Sequence, residues 1–216
     1  ANVFGKAYFA DNEIVQKALL SLNSYSEAWK NEDINNRINI INNFADLLEE
    51  NYTRLVTACV QEAGKTIEDS IADIREAIDF CRYYALLSKD LFKDTLLPGP
   101  TGETNIYKLK GKGLTVVISP WNFPIAIFVG QLVAALISGN VVLAKPAEQT
   151  SYCAYIVFKL LLKSGLPKES AALILGKGED IGPQIFADQN VENVIFTGSL
   201  ETAKKIQQQL IKRPEI

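Results

Sequence analysis

The 216-residue sequence contains no methionine and no histidine, and it has only three cysteines, Cys59, Cys81 and Cys153. Without histidine, the chain lacks the side chain that most often activates a cysteine nucleophile. The cysteines are odd in number and far apart in sequence, which is typical of reduced intracellular thiols. A first residue other than methionine suggests a processed chain or a piece of a longer protein. We expect a cytoplasmic location.

Long apolar runs and blocks of one charge sign are also missing. The longest apolar stretch, Ile125 to Ile137, is interrupted by Gly130 and Gln131, and it is shorter than the roughly 20 residues that span a bilayer. The chain has 22 basic and 25 acidic residues without a strongly basic segment, so it offers no electrostatic surface for nucleic acid. We therefore expect no transmembrane segment, no binding of nucleic acid by this segment and no metal site.

The first part of the chain has the periodicity of amphipathic helices. Within residues 11–93, apolar side chains recur at helical spacing in stripes that begin at Ile34 and Ile67, with charged residues on the other face. The pattern breaks in residues 95–113, where proline and glycine flank a loosely alternating segment and predict a hairpin. This hairpin is either an edge for assembly or an ordinary surface connector.

The second part predicts a parallel β-sheet. Short β-branched runs alternate with helical segments about every 30 residues, and the runs are apolar throughout, which indicates strands buried on both faces. The fold class is therefore α/β, with a doubly wound parallel sheet whose ligands bind at the carboxyl ends of the strands. The predicted strands are Leu114–Ile118, Val141–Ala144, Ala172–Leu175 and Val194–Phe196.

Polar motifs follow three of these strands, and the first is Ser-Pro-Trp-Asn-Phe-Pro at residues 119–124. Its prolines stiffen the loop, and Pro124 is predicted in the first turn of the next helix. Asn122 is then held on a rigid frame, where its amide is suited to donate to a developing oxyanion. The alternative is that Asn122 simply caps the helix.

The second motif places Lys145 and Glu148 after the next strand. An ammonium and a carboxylate at this spacing can hold a ribose diol, and the carboxylate would repel a 2′-phosphate, which favours NAD over NADP. The alternative is a solvated surface ion pair. Gly178 and Gly182 lie in a glycine-rich segment that does not fit the dinucleotide motif. In the third motif, Phe-Thr-Gly-Ser at 196–199, Ser199 serves either a phosphate or a helix cap.

Two other candidates are rejected from the sequence. The segment Ala63-Gly64-Lys65-Thr66 ends like a phosphate-binding loop, but Cys59 stands where that motif requires glycine, and the segment lies among helices. The three cysteines are poor nucleophiles because they occupy helical positions and no histidine is available to activate them.

The motifs SPWNFP, AKPAEQT and VIFTGS, in this order and spacing, resemble the cofactor domain of the aldehyde dehydrogenase superfamily over nearly the whole chain. The segments EAGKTIEDSIADIREAIDFCRYYA and SPWNFPIAIFVGQLVAALISGN are similar to the dehydrogenase portion of bifunctional proline utilisation proteins, which oxidise glutamate γ-semialdehyde to glutamate with NAD. The resemblance implies a Rossmann-like NAD-binding domain, with a helical part at 1–94, the hairpin at 95–113, which is a candidate oligomerisation arm, and a nucleotide-binding part at 114–216. The parent protein is expected to be a homo-oligomer.

The resemblance also implies roles for individual residues. Asn122 would stabilise the thiohemiacetal oxyanion, and Lys145 and Glu148 would bind the adenosine ribose. The full set of expected cofactor-binding residues is Ile118, Ser119, Pro120, Trp121, Lys145, Ala147, Glu148, Gly178, Gly182, Phe196, Thr197, Gly198 and Ser199.

The catalytic cysteine and the Glu-x-Gly-Gly segment of the family have no counterpart in this sequence. The resemblance places them after Ile216, so we expect the catalytic domain to lie outside this sequence and predict that the chain alone is inactive. The alternatives are a nucleotide-binding module without catalysis, a module that serves only oligomerisation, and a dehydrogenase that acts on another aldehyde or forms an acyl-CoA.

Overall fold

Helices occupy the first part of the chain, as the apolar periodicity predicts. The computed structural model describes residues 5–213; the outer ends of the two predicted terminal parts, 1–4 and 214–216, lie outside the described residues. The carboxylates of Asp11 and Asp33 and the hydroxyl of Thr66 accept backbone N–H bonds at helix starts, which satisfies donors that lack a partner within the helix. These helices are α1 (Asn12–Lys30), α2 (Ile34–Glu50), α3 (Tyr52–Ala63) and α4 (Ile67–Leu91).

Two sheets follow. In the first, the predicted hairpin is confirmed, because β1 (Thr95–Leu97) pairs antiparallel with β2 (Asn105–Tyr107). The second is a four-stranded parallel sheet with the strand order β5-β4-β3-β6. Its strands are β3 (Leu114–Ile118), β4 (Val141–Lys145), β5 (Ala171–Leu173) and β6 (Val191–Phe196).

The strand bounds differ from the predicted ones where the sequence pattern is ambiguous. β4 continues to Lys145, since this residue pairs in register with Ile118 of β3. β6 begins at Val191, before the apolar run, because it pairs with Leu114 and the ladder continues through the polar Asn193 beside Thr115. Pairing with a neighbour therefore extends strands over residues that a hydrophobic pattern leaves out.

Helices cover both faces of the parallel sheet, which confirms the doubly wound α/β fold. The helices of this part are α5 (Ala126–Ile137), α6 (Ser151–Lys163), α7 (Gly178–Ala187) and α8 (Leu200–Leu210). Right-handed crossovers put α5 and α6 on one face and α7 on the other. Helices α2, α3 and α4 pack over α5 and α6, whereas α1 packs on the strands and against α7.

One hydrophobic core joins the amino-terminal helices to the sheet. Trp29 of α1, Phe44 of α2 and Phe128 of α5 are fully buried in it. The indole N–H of Trp29 donates to the carbonyl of Leu136 at 3.0 Å, so that the end of α1 is fixed to the end of α5. Across residues 5–213, no helix combines the length and the apolar character needed to cross a membrane.

Candidate functional site

A cleft of about 630 Å³ opens at the carboxyl ends of β3, β4 and β6. The parallel register pairs Ile118 with Lys145 on one side and with Phe196 on the other, so the three following loops leave the sheet at the same level. Every residue expected to bind a cofactor lines this cleft, namely Ile118, Ser119, Pro120, Trp121, Lys145, Ala147, Glu148, Gly178, Gly182, Phe196, Thr197, Gly198 and Ser199.

The loop after β3 gives the cleft a polar atom without a protein partner. Ser119 is buried, and its Oγ makes no hydrogen bond within the described part of the chain. A buried hydroxyl without a hydrogen-bond partner lowers the stability of the fold unless another molecule forms a hydrogen bond with it. Trp121, two residues later, is 55% exposed at the cleft. The loop therefore offers a ligand both a hydrogen-bonding group and an aromatic surface.

Asn122 does not cap α5. The helix begins at Ala126 without a cap from a neighbouring side chain, and its first N–H donates instead to Asp73 Oδ1 at 2.7 Å. The prediction that Pro124 lies in the first helical turn is therefore wrong, because the Asp73 cap sets the helix start two residues later. The side chain of Asn122 is exposed and makes no hydrogen bond to another described residue.

Lys145 and Glu148 form a partly buried ion pair. Lys145 Nζ lies 3.4 Å from Glu148 Oε2 and 3.2 Å from the carbonyl of Pro146, and only 6% of the lysine is exposed. Burial lowers the pKa of the Lys145 ammonium, and the Glu148 carboxylate opposes that effect. A solvated surface pair is thus excluded. The pair presents a donor and an acceptor side by side in the cleft.

The Phe196–Ser199 turn brings an aromatic ring close to a glycine and ends in a helix cap. A Cβ on Gly198 would lie 2.6 Å from Cζ of Phe196, so a larger residue here would require the ring to move. Ser199 Oγ accepts from the Thr202 N–H at 3.2 Å and caps α8. The Thr197 hydroxyl accepts from Gln131 Nε2 at 3.0 Å, which connects this turn to α5.

Glu62 of α3 does not line the cleft but supports one of its helices, a role that the sequence does not reveal. Its carboxylate accepts the N–H groups of Tyr152 and Cys153 at 2.8 and 2.7 Å and caps α6, which follows the turn containing Glu148. A negative charge at a helix amino end is stabilising. This contact joins residues 90 and 91 positions apart, so no local pattern predicts it.

Helices α7 and α8 supply the remaining wall of the cleft, which sequence analysis largely missed. On α8 the lining residues Thr202, Lys205, Ile206 and Gln209 follow the i, i+3, i+4, i+7 pattern of one helix face, and that pattern is the signal that could have identified them. From α7 and its start come Lys177, Glu179, Pro183, Ile185 and Phe186.

The cysteines lie away from the cleft and are buried. Burial raises the pKa of Cys81 to about 12, and a hydrogen bond with Cys59 together with burial raises the pKa of Cys153. Neither thiol forms the thiolate that nucleophilic attack requires near neutral pH. Within residues 5–213 there is also no cluster of three or more side chains that could hold a metal ion.

Comparisons with known proteins agree with this architecture. The model of the aldehyde dehydrogenase family matches residues 1–214. The chain is 40% identical over 212 residues to bifunctional protein PutA of Salmonella typhimurium, which is 98% of this chain and 15% of that protein. It is 33% identical over 206 residues to 1-pyrroline-5-carboxylate dehydrogenase of Staphylococcus aureus. This match covers 95% of this chain and 40% of that enzyme.

The fold is also similar to that of a solved enzyme structure. A crystal structure of betaine aldehyde dehydrogenase from Staphylococcus aureus, in complex with NAD+, matches with a TM-score of 0.92 at 26% identity, covering 99% of this chain and 44% of that chain. The chain therefore spans less than half of the length of each of these relatives.

Proposed function

Because this chain belongs to the aldehyde dehydrogenase family, we propose that it forms the NAD-binding part of an enzyme that oxidises L-glutamate γ-semialdehyde to L-glutamate in proline catabolism. The substrate is suggested by the similarity to PutA of Salmonella typhimurium and to 1-pyrroline-5-carboxylate dehydrogenase of Staphylococcus aureus. 1-Pyrroline-5-carboxylate is the cyclic imine that forms when the amine of this semialdehyde condenses with its own aldehyde and releases water. A cytoplasmic location is part of this proposal.

The observation that carries the proposal is the Lys145–Glu148 pair inside the cleft. A buried ammonium and a carboxylate 3.4 Å apart match the donor and acceptor needs of a ribose diol. The nearby Ser119 hydroxyl has no partner among the described residues and can form a hydrogen bond with a ligand. The cleft volume of about 630 Å³ lies within the usual range of cofactor sites. The residues present therefore fit NAD.

The other lining residues have complementary roles in this proposal. Ile118, Pro120, Trp121 and Ala147 would form the apolar wall, Gly178 and Gly182 would let α7 approach the adenine end, and Phe196, Thr197, Gly198 and Ser199 would meet the pyrophosphate and nicotinamide. NAD, when bound there, would supply the hydride acceptor. Lys145 and Glu148 would fix its position.

We expect Glu148→Gln to weaken NAD binding by about 10- to 100-fold, because a charged hydrogen-bond acceptor is lost. The preference for NAD over NADP should shrink as well, since the repulsion of a 2′-phosphate disappears. Calorimetric titration with both nucleotides measures this. Glu13→Gln is the matched control, because it breaks an exposed ion pair with Lys17 on α1. Unchanged affinities for Glu148→Gln would show that the pair has no part in binding.

Asn122 is proposed as the donor to the oxyanion that forms when a nucleophile adds to the aldehyde carbonyl. Its side chain is exposed and is not used as a helix cap, since Asp73 fills that position. An amide on a stiff loop costs little reorganisation when it donates to a developing negative charge.

In the full-length protein, Asn122→Ala should lower kcat by about 100-fold or more, as expected for loss of one oxyanion donor. The NAD affinity should stay unchanged, because Asn122 does not line the cleft. Steady-state kinetics and NAD titration together provide the check. Near-normal turnover of the variant would exclude a role in catalysis.

We further propose that the nucleophile comes from residues outside this sequence. Cys59, Cys81 and Cys153 are buried away from the cleft, and the chain contains no histidine to activate them. The chain would thus contribute cofactor binding and the oxyanion donor, while another part of the parent protein contributes the reacting thiol.

This division predicts that residues 1–216 alone, expressed as a separate protein, do not oxidise L-glutamate γ-semialdehyde. Absorbance of NADH at saturating NAD and aldehyde is the measurement, and circular dichroism verifies that the protein is folded. Robust NAD-dependent turnover by this chain would contradict the proposed origin of the nucleophile.

The hairpin of residues 95–113 is proposed as an oligomerisation arm of the parent protein. Both of its strands expose apolar side chains, including Leu96 and Ile106. Exposed apolar residues concentrated on one projecting element are typical of a contact surface.

A further inference from the structure

A buried ion pair lies directly beneath the loop that carries Asn122. Lys65 Nζ and Asp73 Oδ2 are 3.4 Å apart, with 11% of the lysine side chain and none of the aspartate side chain exposed. Neither residue lines the nucleotide cleft. Burying two charges is expensive unless each has further partners, and both of these residues find those partners in the loop and in α5.

The backbone turn after α3 brings Lys65 to this position. Gly64 ends the helix with φ of +67°, a left-handed conformation that glycine adopts without strain. Thr66 then caps α4, and Asp73 lies two helical turns further along that helix. The segment 63–66 that ends like a phosphate-binding loop therefore directs its lysine to the protein's own backbone.

Lys65 holds the loop at Asn122 itself. Its ammonium donates to the Asn122 carbonyl at 3.0 Å and lies 4.3 Å from the centre of the Phe123 ring, a distance typical of a cation–π contact. One charged group thus contacts the residue that carries the amide and the residue that follows it. Both contacts restrict the backbone torsions on which the direction of the amide depends.

Asp73 fixes the end of the same loop. Its Oδ1 accepts from the Ala126 N–H at 2.7 Å, where α5 begins without a local cap. Burial raises the pKa of the Asp73 carboxyl, and the Ala126 N–H and Lys65 oppose this effect. Lys65 therefore helps to keep the capping carboxylate ionised.

We propose that Lys65 and Asp73 are positioning residues that aim the Asn122 amide at the oxyanion. The Asn122 side chain has no hydrogen bond of its own to another described residue, so its direction depends on the backbone that this pair holds. The inference rests on the proposed oxyanion role of Asn122 and adds the groups that make that role possible. Small displacements of a catalytic group reduce rates strongly.

The test uses the full-length protein and the variants Lys65→Met, Asn122→Ala and the combination of the two. Lys65→Met should lower kcat by about 10- to 100-fold, as expected for a donor displaced by about 1 Å. The dissociation constant for NAD should change much less than kcat, because neither Lys65 nor Asn122 lines the cleft. Lys17→Met, which breaks an exposed ion pair with Glu13, should leave both quantities unchanged.

The double variant separates a positioning role from a general structural one. In the Asn122→Ala background, Lys65→Met should lower kcat by less than about threefold, since residues acting as one unit are not additive. The inference is overturned if Lys65→Met lowers kcat equally with Asn122 present and with Ala in its place. It is also overturned if Lys65→Met alone does not lower kcat. Normal turnover of the single variant Asn122→Ala would contradict the oxyanion role of Asn122. The positioning role of Lys65 is instead judged from Lys65→Met and the double variant, so the two failures can be told apart.

A second pair of measurements covers the case in which Lys65→Met does not fold. Lys65→Met with Asp73→Asn leaves no unpaired buried charge and retains an oxygen that can accept the Ala126 N–H, and it should show the same loss of kcat. Time-resolved fluorescence anisotropy measures the local motion of Trp121 without any substrate, when the signal of a matching Trp121→Phe protein is subtracted. This motion should be faster in the variant Lys65→Met with Asp73→Asn than in the unmodified protein. An unchanged anisotropy decay would contradict the positioning role.

Discussion

The register of the central strand is the constraint on which the rest of the site depends. Ile118, the last residue of β3, is paired with Lys145 on one side and Phe196 on the other. Because adjacent residues of a strand point to opposite faces, a shift of one position would move the Lys145 side chain to the other side of the sheet. The in-register ends therefore bring three loops, distant in sequence, to one cleft.

Two ion pairs, each at least partly buried, lie at this end of the sheet and contact different groups. Lys145 and Glu148 lie in the cleft, where the carboxylate remains accessible to a ligand. Lys65 and Asp73 lie beneath the neighbouring loop, where their remaining hydrogen bonds go to the backbone. Buried pairs of this kind contribute little to stability by themselves. In the proposed function they fix positions instead: Lys145 and Glu148 fix a ligand, and Lys65 and Asp73 fix the loop.

The sequence was sufficient to predict the α/β class, the hairpin and the cleft residues at the strand ends, but not most of the wall that α7 and α8 supply. These features follow from local patterns: apolar runs mark the strands, and polar motifs such as 119–124 mark their ends. The positions of Glu62, Lys65 and Asp73 could not be predicted in the same way. Lys65 meets Asn122 across 57 positions and Asp73 meets Ala126 across 53, and only the packing of α3 and α4 against α5 and α6 creates these contacts. The same tertiary cap moved the start of α5 beyond Pro124.

A crystal structure of the protein soaked with NAD would show whether Lys145 and Glu148 organise the cleft as an NAD site. We expect the adenosine ribose diol within hydrogen-bond distance of Lys145 Nζ and the Glu148 carboxylate, and a hydrogen bond between Ser119 Oγ and the bound nucleotide. NAD bound at another surface, or a cleft that stays empty at saturating NAD, would contradict this expectation.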